Sequence, residues 1–570
     1  MPTLTIDNQE ITVPAGSNVL EAAKMLGIVI PHFCYHEALG AVGACRLCAM
    51  AFMDGPVKGL QMSCMIEAQD GMVVSTVDDQ AQEMRTHVIE WLMINHPHDC
   101  PVCDEGGECQ LQDMTIAGGH SIRRFRGKKR TYTNQDLGPF IVQEMNRCIQ
   151  CYRCVRTYQD YCGGDDFGVL GSRDRLFFGR FRDGRLASPF SGNIVDVCPT
   201  GVFTDKTFRY KSRYWDLEEA PSICPHCSLG CATIPGGRYR ELQRVRAGAN
   251  PRTNGFFICD RGRFGYDHVN HPERPRIPRI DGSDGAWDEA LSAARERLKA
   301  IREEHGPGSI AFVGSGRNSL EGAWLLRQWA RELDSDQFCT DTVSRREQTA
   351  GILAEGLGDM ACSLEQVRES DFMLFVGADP LAEGPMAALA ARQAVRAGAK
   401  AAVVDPRPVD LPFTAPHLPV SPERLPEVLD ALSGKDFTGF DRRETHILEG
   451  IAERLRQAER PVLIGGGDLL GPRGTEHLLS LAAGLANRDR AVGVMTLLSA
   501  PNSLGLALLA EERTGFSTVL EKIEEGHVRA LVCLEADPLE DADRPGRVST
   551  LLRALEAFVV IDSLPTAAAR

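Results

Sequence analysis

At 570 residues, with 43% hydrophobic and 25% charged residues, the sequence has the composition of an ordinary globular protein with room for several domains. A formal net charge of −15 excludes a general nucleic-acid binder, which would show a strong basic excess. The opening MPTLTIDNQE lacks a basic region followed by an apolar core, so we expect no secretory signal.

The sequence holds nineteen cysteines, and sixteen of them precede residue 260. A protein built on a disulfide framework is usually short and carries an export signal. This chain has 570 residues, and no export signal is expected. Clustered cysteines in such a chain indicate metal binding. The sequence therefore divides into a metal-rich N-terminal half and a cysteine-poor C-terminal half.

The first candidate ligand set follows a predicted hairpin in LTIDNQEITVPAG and a short amphipathic helix in NVLEAAKMLG. A long gap, then CxxC, then a distal cysteine is a variant of the plant-type [2Fe–2S] ferredoxin pattern. Gly40 and Gly43 suit a loop that wraps tightly around a cluster. This order predicts a β-grasp ferredoxin, with a structural zinc knuckle as the alternative. The predicted ligands are Cys34, Cys45, Cys48 and Cys64.

The second set lies in NHPHDCPVCDEGGECQ, where three cysteines need a fourth ligand. His96 and His98 are both candidates, because Pro97 favours an extended backbone ahead of the cysteines. A neutral histidine in place of a thiolate makes a site less negative and raises its reduction potential. A zinc site with three cysteines and one histidine is the alternative, but iron–sulfur signatures flank the segment on both sides. The cysteines of this set are Cys100, Cys103 and Cys109.

The third set begins in RCIQCYRCV and ends in a remote Cys-Pro pair, as in bacterial ferredoxins. One [4Fe–4S] cluster fits it, with ligands Cys148, Cys151, Cys154 and Cys198. The cysteines that a second cluster would need are replaced by Tyr158, Ser188, Ser191 and Ile194. Cys162 matches no ligand position and is expected to be a small buried hydrophobic residue.

The fourth set has the spacing C-x2-C-x3-C followed, after 27 residues, by another cysteine, which is a strong [4Fe–4S] pattern. Its members are Cys224, Cys227, Cys231 and Cys259. The four sets suggest a path for single electrons. None of them offers a general acid and base, so we predict no catalytic residue. The basic segment 123–130 is either a solvated loop, a docking surface or compensation for anionic clusters nearby.

From about residue 278, helices alternate with short apolar strands, which predicts an α/β domain with a mostly parallel sheet covered on both faces. A helix in WDEALSAARERLKAIREEHG is expected to end at Gly306. Residues 491–510 approach the length of a membrane span, but Pro501 and its neighbours interrupt the run. They predict a buried strand, a loop and a helix. The other predicted strands lie in GSIAFVGSG, DFMLFVGADP, AKAAVVDPRP, RPVLIGGGD, RALVCLEADP and FVVIDS.

The order and spacing of these sets resemble the large iron–sulfur subunit of bacterial NADH:quinone oxidoreductase, respiratory complex I (its G subunit). The segments FSGNIVDVCPTGVFTDKT and CDRGRFGY are similar to that family as well. By this resemblance His96, rather than His98, completes the second [4Fe–4S] site. The fourth site occurs in only some members of the family, where it lies off the main electron path.

The resemblance implies a multidomain α+β and α/β fold with five domains. They are a β-grasp [2Fe–2S] ferredoxin-like domain at 1–78, a [4Fe–4S] domain with histidine and cysteine ligands at 79–138, a ferredoxin-like domain with one [4Fe–4S] cluster at 139–216, a [4Fe–4S] domain of the molybdopterin-oxidoreductase type at 217–277, and a molybdopterin-oxidoreductase-like α/β domain at 278–570. Members of the family continue beyond the end of this chain. We therefore expect the last domain to be C-terminally short, with its sheet incomplete or finished by another chain.

The resemblance also implies an electron-transfer subunit with one [2Fe–2S] and three [4Fe–4S] clusters and no molybdenum. Electrons from NADH would pass through the flavin of a partner, enter at the Cys34 set, move to the Cys148 set, then to the His96 set and on toward quinone. The chain itself would bind neither NADH nor quinone. Implied partners are the flavin/NADH-binding subunit, a thioredoxin-like [2Fe–2S] subunit, a ferredoxin-like two-cluster subunit and other peripheral-arm subunits. The implied location is the cytoplasmic side of the bacterial inner membrane, with membrane attachment only through the complex.

Three other functions are weighed against this one. A molybdenum formate dehydrogenase would need a cysteine, selenocysteine or serine ligand to molybdenum, and FCTDTVSRREQTAGIL has Cys339 and Ser344 but no cysteine in the usual place. An iron-only hydrogenase would need four further cysteines, and only three follow residue 260. A zinc scaffold without redox function is the third alternative.

Overall fold

The computed structural model describes residues 1–434, 437–488, 490–510, 514–540, 542 and 544–569. The chain divides into two compact units. The first consists of Met1–Pro221, Ile234–Ala247 and Phe256–Phe264, and the second of Ser222–Thr233, Gly248–Gly255 and Gly265–Arg570.

The first unit begins with a five-stranded mixed sheet and one helix. Its elements are β1 (Thr3–Ile6), β2 (Gln9–Thr12), α1 (Val19–Met25), β3 (Ala49–Asp54), β4 (Gly59–Met62) and β5 (Val73–Ser75), with strand order β2-β1-β5-β3-β4. Strands β1 and β2 form the predicted antiparallel hairpin, and β1 pairs with β5 in parallel. Asn18 and Glu21 form a capping box at the start of α1, which satisfies two free N–H groups of its first turn. The predicted β-grasp arrangement is confirmed.

Two helices follow the sheet, α2 (Asp79–Met93) and α3 (Gln110–Ala117). The side chain of Asp78 caps α2 by accepting a hydrogen bond from the N–H of Ala81. The buried guanidinium of Arg85 on α2 donates to the carbonyl oxygens of Ala49, at 2.9 Å, and Thr76, at 2.6 Å. This arginine therefore fixes α2 against the sheet. The segment between α2 and α3 carries the second ligand set.

The ferredoxin-like region has little regular structure. Its elements are β6 (Ile141–Gln143), α4 (Arg153–Val155), β7 (Gly168–Leu170), β8 (Phe177–Gly179), α5 (Asn193–Val197) and β9 (Phe203–Asp205). β6 pairs with β9 and β7 with β8, both antiparallel. A π-helical turn, Arg156–Tyr161, continues α4. Such turns are rare and are frequent at functional sites. This one lies shortly after the ligand Cys154.

Four short strands and a helix follow in the sequence. They are β10 (Glu218–Glu219), β11 (Ser222–Ile223), β12 (Ala232–Arg238), β13 (Glu241–Ala247) and α6 (Asp260–Phe264). Strand β12 is antiparallel to β10 through Gly236 and Gly237, and to β11 through Ala232 and Thr233. The boundary between the two units falls within β12 in the sequence.

The second unit contains two parallel sheets rather than the one that the alternation of helices and strands suggests. The first has the order β17-β16-β23-β24, built from β16 (Ile310–Val313), β17 (Phe338–Cys339), β23 (Ala530–Leu534) and β24 (Ala557–Ile561). The second has the order β20-β19-β18-β21-β22, built from β18 (Phe372–Val376), β19 (Lys400–Val404), β20 (His417–Leu418), β21 (Pro461–Gly466) and β22 (Gly493–Leu497). A small hairpin, β14 (Arg279–Ile280) and β15 (Ser283–Asp284), precedes both sheets.

Helices connect these strands. They are α7 (Trp287–His305), α8 (Leu320–Glu332), α9 (Ser344–Gly356), α10 (Leu364–Glu369), α11 (Pro380–Glu383), α12 (Pro385–Arg396), α13 (Leu425–Leu432), α14 (Arg442–Gln457), α15 (Gly467–Leu485, kinked at Gly471), α16 (Ser503–Leu509), α17 (Phe516–Glu524) and α18 (Pro545–Arg553). Helix α7 ends at the C-cap Gly306, as predicted.

Both faces of the first parallel sheet are buried. On β16, Ala311 and Val313 belong to the core formed with α17 and α18, whereas Ile310 and Phe312 belong to the core formed with α7 and α8. Successive residues of a strand point to opposite faces, so helices cover the sheet on both sides. This confirms the predicted α/β layering.

The uncharged run at 491–510 forms β22, a loop and α16. Val494 on β22 and Leu506 on α16 are buried among other residues of the second unit. The prediction of a buried strand, loop and helix is confirmed. Among the described residues, no helix has both the length and the apolar character that crossing a membrane requires.

Candidate iron–sulfur sites

The four cysteines of the first set converge in the first unit. The Cys34 thiolate accepts hydrogen bonds from the thiols of Cys45 and Cys64, and this lowers the pKa of Cys34 to about 2. The Cys48 thiol interacts with Cys64 in the same way, which lowers its pKa to about 7. As donors, Cys45 and Cys64 have raised pKa values. All four are buried, so the set is a closed group of sulfur donors.

The loop that carries this set turns through left-handed backbone. Gly40 has φ +69° and Gly43 has φ +66°, a region in which a side chain is strained. The N–H of Phe33 donates to Cys45 Sγ at 3.4 Å. The glycines therefore allow the tight wrapping that the sequence predicts.

The second set surrounds a cavity between α2 and α3. The cavity is lined by Met93, His96, His98, Asp99, Cys100, Cys103, Gly106, Cys109, Leu111, Gln112 and Gly201. Its volume is about 40 Å³, and it is open to solvent on one side. The three predicted cysteines and both candidate histidines thus face one space.

Burial and hydrogen bonding distinguish the two histidines. His96 is 9% exposed, whereas His98 is exposed. His96 Nδ1 lies 3.2 Å from the carbonyl oxygen of Arg147, which can only accept, so Nδ1 carries the proton and Nε2 is left as a donor to metal. Burial lowers the pKa of His96 to about 4, which keeps the imidazole neutral near pH 7. His96 has the features of a ligand, and His98 has them only in part.

Gly201 is packed against Cys103, a predicted ligand that lines this cavity. A Cβ atom at this position would lie 2.5 Å from Cys103 Sγ and 3.2 Å from Glu105 Cβ. Real Cβ atoms do not approach a sulfur atom so closely, and overpacking costs about 1–3 kcal/mol. The site needs glycine there for space and not for backbone conformation.

The Gly201→Ala variant is therefore expected to contain less of the cluster at the His96 set, because the new methyl group displaces Cys103. Iron content and the EPR signal of that centre measure the loss. Gly450→Ala is the control, because a Cβ at Gly450 in α14 meets nothing within 4 Å and alanine favours a helix. Full occupancy in Gly201→Ala would contradict the placement of Cys103 as a ligand.

The third set occupies the loop before α4 and the end of α5. Burial raises the pKa of the Cys148, Cys151, Cys154 and Cys198 thiols, to about 12 for Cys151. Cys151 and Cys198 interact electrostatically with Cys148, which places the three near one another. Gln150 and Tyr152 adopt left-handed backbone with φ of 54° and 65°. This conformation turns the loop between the first three cysteines back on itself.

Packed side chains fill the positions at which a second ferredoxin cluster would have its ligands. Tyr158 is fully buried, donates a hydrogen bond to Asp166 and accepts one from the N–H of Ser188 at 3.1 Å. Ser191 donates to Asp260, and Ile194 is fully buried. The Tyr158 ring thus fills space in the region where the ligands of a second cluster would lie. Cys162 is 2% exposed, in agreement with its prediction as a buried hydrophobic residue.

The fourth set is divided between the two units. Cys224, Cys227 and Cys231 belong to the second unit and Cys259 to the first. Within the second unit, the N–H of Cys224 donates to the carbonyl of Cys231 at 2.9 Å, which closes the loop around Cys227. In the first unit, the N–H of Gly262 donates to Cys259 Sγ at 3.4 Å. The completion of this set by Cys259 stays a prediction.

Members of the first three sets lie in one hydrophobic core of the first unit, which we call the shared core. It consists of Phe33, Cys34, Cys45, Leu47, Val88, Ile89, Met93, Cys109, Leu111, Ile149 and Cys151. Apolar residues of α2 and α3 belong to the same core as these cysteines. The fold thus places three ligand sets side by side.

Hydrogen bonds connect the third set to each of the other two. On one side, the Arg147 carbonyl accepts from His96 Nδ1, and Arg147 directly precedes Cys148. On the other side, Arg156 Nη1 donates to the Cys34 carbonyl at 3.3 Å. The third set is therefore linked by hydrogen bonds to residues of both other sets.

Part of the basic segment packs against the His96 set. Arg124 forms an ion pair with Glu90, and Lys129 Nζ donates to the His96 carbonyl. Arg123, Arg126 and Lys128 are exposed. Some residues of the segment therefore hold the loop in place through ion pairs and hydrogen bonds, and others face solvent.

Among the described residues, no three His, Cys, Asp or Glu side chains are grouped as they would be around a single metal ion.

Family models match five successive regions of the chain. They are the "2Fe-2S iron-sulfur cluster binding domain" at 1–79, the "NADH-ubiquinone oxidoreductase-G iron-sulfur binding region" at 85–124, the "NADH-quinone oxidoreductase subunit 3, ferredoxin-like domain" at 138–204, the "Molybdopterin oxidoreductase Fe4S4 domain" at 217–271 and "Molybdopterin oxidoreductase" at 283–570. Their order is that of the predicted cluster regions followed by the α/β domain.

Curated relatives match over the whole chain. The G subunit of NADH-quinone oxidoreductase from Pseudomonas fluorescens is 38% identical, and those from Shewanella oneidensis and Escherichia coli K12 are 39% identical. Each alignment covers 100% of this chain and 66% of the relative, so the chain spans about two thirds of the length of these proteins. A solved NAD+-reducing [NiFe]-hydrogenase chain is 28% identical, with a TM-score of 0.34 over 37% of this chain and 90% of that one.

The fold and the sites define a chain of iron–sulfur-binding domains joined to a molybdopterin-oxidoreductase domain, and over residues 283–570 the chain belongs to the molybdopterin oxidoreductase family. Within that class, it belongs to the family of the NADH-quinone oxidoreductase G subunits. The resemblance seen in the cysteine spacing and the predicted multidomain fold are both confirmed.

Proposed function

We propose that this chain is an electron-transfer subunit in the peripheral arm of an NADH:quinone oxidoreductase. The observation that carries the proposal is the shared core, in which cysteines of three sets lie together. When bound, iron–sulfur clusters accept and release single electrons. The chain's own residues hold these groups close to one another and exclude water from the space between them.

The donor sets and their surroundings fit iron–sulfur clusters. We assign a [2Fe–2S] cluster to Cys34, Cys45, Cys48 and Cys64, and [4Fe–4S] clusters to the His96, Cys148 and Cys224 sets. Supporting features are the buried sulfur donors, the neutral His96 and the glycine that leaves room beside Cys103. The hydrogen bonds that link the Cys148 set to residues of both other sets support the order of transfer from the Cys34 set through it to the His96 set.

The partners and location follow from the same proposal. The chain would receive electrons from a flavin/NADH-binding subunit and pass them to a ferredoxin-like two-cluster subunit, with a thioredoxin-like [2Fe–2S] subunit and other peripheral-arm subunits in the complex. It would lie on the cytoplasmic side of the inner membrane and reach the membrane only through that complex. The division into five domains, with boundaries after residues 78, 138, 216 and 277, is part of this proposal.

The last domain does not fit a molybdenum catalyst. Among the described residues after 260, Cys339 and Cys533 lie in core strands, where burial raises the pKa of both thiols. The Cys339 thiol donates to the Thr514 carbonyl at 2.7 Å. At the carboxyl ends of β18 and β19, Arg407 forms ion pairs with Asp405 and Glu383. These features count against the formate dehydrogenase alternative.

Iron and acid-labile sulfide analysis of the assembled complex tests the assignment. We expect about fourteen of each attributable to this chain, from one two-iron and three four-iron centres. NADH added to the complex should produce the EPR signals of reduced centres. Near-stoichiometric molybdenum with formate oxidation would favour the alternative function, and zinc without colour or EPR signal would exclude electron transfer.

A further inference from the structure

Arg153 is a buried cation in the middle of the ligand sets. It is the first residue of α4, between the ligands Cys151 and Cys154, and it is 4% exposed. An arginine side chain stays protonated even in such surroundings. A full positive charge is therefore fixed inside the first unit.

The hydrogen-bond acceptors of Arg153 are neutral. Nη2 donates to the Tyr35 carbonyl at 2.7 Å, and Nη1 donates to Gln110 Oε1 at 2.9 Å. Nε is buried and has no hydrogen-bond partner among the described residues. Tyr35 follows Cys34 and Gln110 follows Cys109 in the sequence, so the guanidinium contacts residues that are adjacent to predicted ligands of the first and second sets.

Three other buried arginines of the first unit have carboxylate partners, whereas the buried Arg85 donates to two backbone carbonyls. Arg147 pairs with Asp99 at 2.7 Å, Arg244 with Glu108 at 2.7 Å, and Arg263 with Asp196. Within the described residues, Arg153 forms no ion pair with an Asp or Glu. A buried charge without a counter-charge is strongly unfavourable. Arg153 differs from Arg85 in its place between two predicted cluster ligands, so the groups that these ligands would hold are its candidate counter-charge.

Geometry places Arg153 beside two ligand sets. It stands between Cys151 and Cys154 of the third set in the sequence, and its Nη2 contacts the carbonyl of Tyr35, the residue after Cys34 of the first set. Its electrostatic interactions are likewise with cysteines of these two sets, Cys151, Cys198, Cys45 and Cys34.

We propose that Arg153 is the shared counter-ion of the groups held by the Cys34 and Cys148 sets, and that its charge raises the reduction potential of both. Each centre gains one electron on reduction and becomes more negative, while Arg153 keeps its proton, so no proton moves. The proposal rests on the cluster assignment above and is independent of the electron donor and acceptor. It makes Arg153 a positioning residue that couples two neighbouring centres electrostatically.

Redox titration of the assembled complex with dithionite, followed by EPR, tests the proposal. In Arg153→Gln, the reduction equilibria of both centres should become at least tenfold less favourable, which is a downward shift of about 59 mV for a one-electron centre. Arg153→Lys keeps the charge and should retain most of both potentials. Arg46→Gln is the control, because Arg46 lies between two ligands of the first set but is exposed, and water screens its charge.

If Arg153→Gln does not assemble, the variant Gln110→Glu provides a second test of the proposal. Gln110→Glu is isosteric and places a carboxylate on Nη1, so it should lower the potentials of the Cys34 and Cys148 centres. Unchanged potentials in an assembled variant would overturn the proposal, and a shift of one centre alone would overturn the sharing. Because the titration uses no NADH or quinone, these results can be separated from a failure of the proposed function.

Discussion

Replacement of Cys151 by serine is expected to abolish the central cluster and stop electron transfer through the chain. Cys151 is 7% exposed and belongs to the shared core, so no water or other side chain can take its place from solvent. A serine hydroxyl is a harder and weaker ligand for iron than a thiolate. In the proposed path the Cys148 set passes electrons from the Cys34 set to the His96 set, so its loss should interrupt the path at the middle.

Iron analysis and NADH-driven quinone reduction measure this effect in the assembled complex. The iron content should fall by about four atoms per chain, and quinone reduction should fall to background. Cys162→Ser is the matched control, since Cys162 is also buried and lies outside every set. It should retain all the iron. Normal quinone reduction by Cys151→Ser with the central cluster missing would exclude the proposed order of transfer.

Replacement of His96 by cysteine is expected to retain a cluster at the second set but make it harder to reduce. The change exchanges a neutral ligand for a thiolate and adds one negative charge to the site. Histidine ligation raises the potentials of iron–sulfur centres, so we expect a downward shift on the order of 100 mV. Potentiometric titration of the EPR signal measures the shift.

His98→Ala serves as the control for this variant. His98 lines the same cavity but is exposed, and its removal should leave the titration of each centre nearly unchanged. If His96→Cys left every titration unchanged and His98→Ala altered one, the ligand would be His98. The pair of variants thus tests the choice that the residues alone leave open.

The ligand sets could be predicted because their spacing is local. A CxxC pair fixes two ligands within one loop, and the glycines at 40 and 43 have the left-handed backbone that such a loop needs. The choice between His96 and His98 could not be made from the residues, because Pro97 leaves both within reach. It depends on burial and on the Arg147 carbonyl, 51 residues away in the sequence.

The division of the last domain into two sheets depends on contacts that no local pattern contains. Individual strands such as β16, β18 and β23 follow from apolar runs, but β16 pairs with β23, which lies far along the sequence. The two-residue strands β17 and β20 were not predicted, because such short runs carry no period. The proposed role of Arg153 also depends on contacts with residues that are distant in the sequence. The sequence alone shows only a basic residue between two predicted ligands.

The shared core also constrains how the protein is made. Cys34, Cys109 and Cys151 are buried in a core that α2 and α3 help to form, so a finished core should slow the entry of iron and sulfide to these cysteines. Metal loading before these helices dock would avoid that barrier. By the same argument, repair of a damaged centre at the Cys34 or Cys148 set would require local opening of this core.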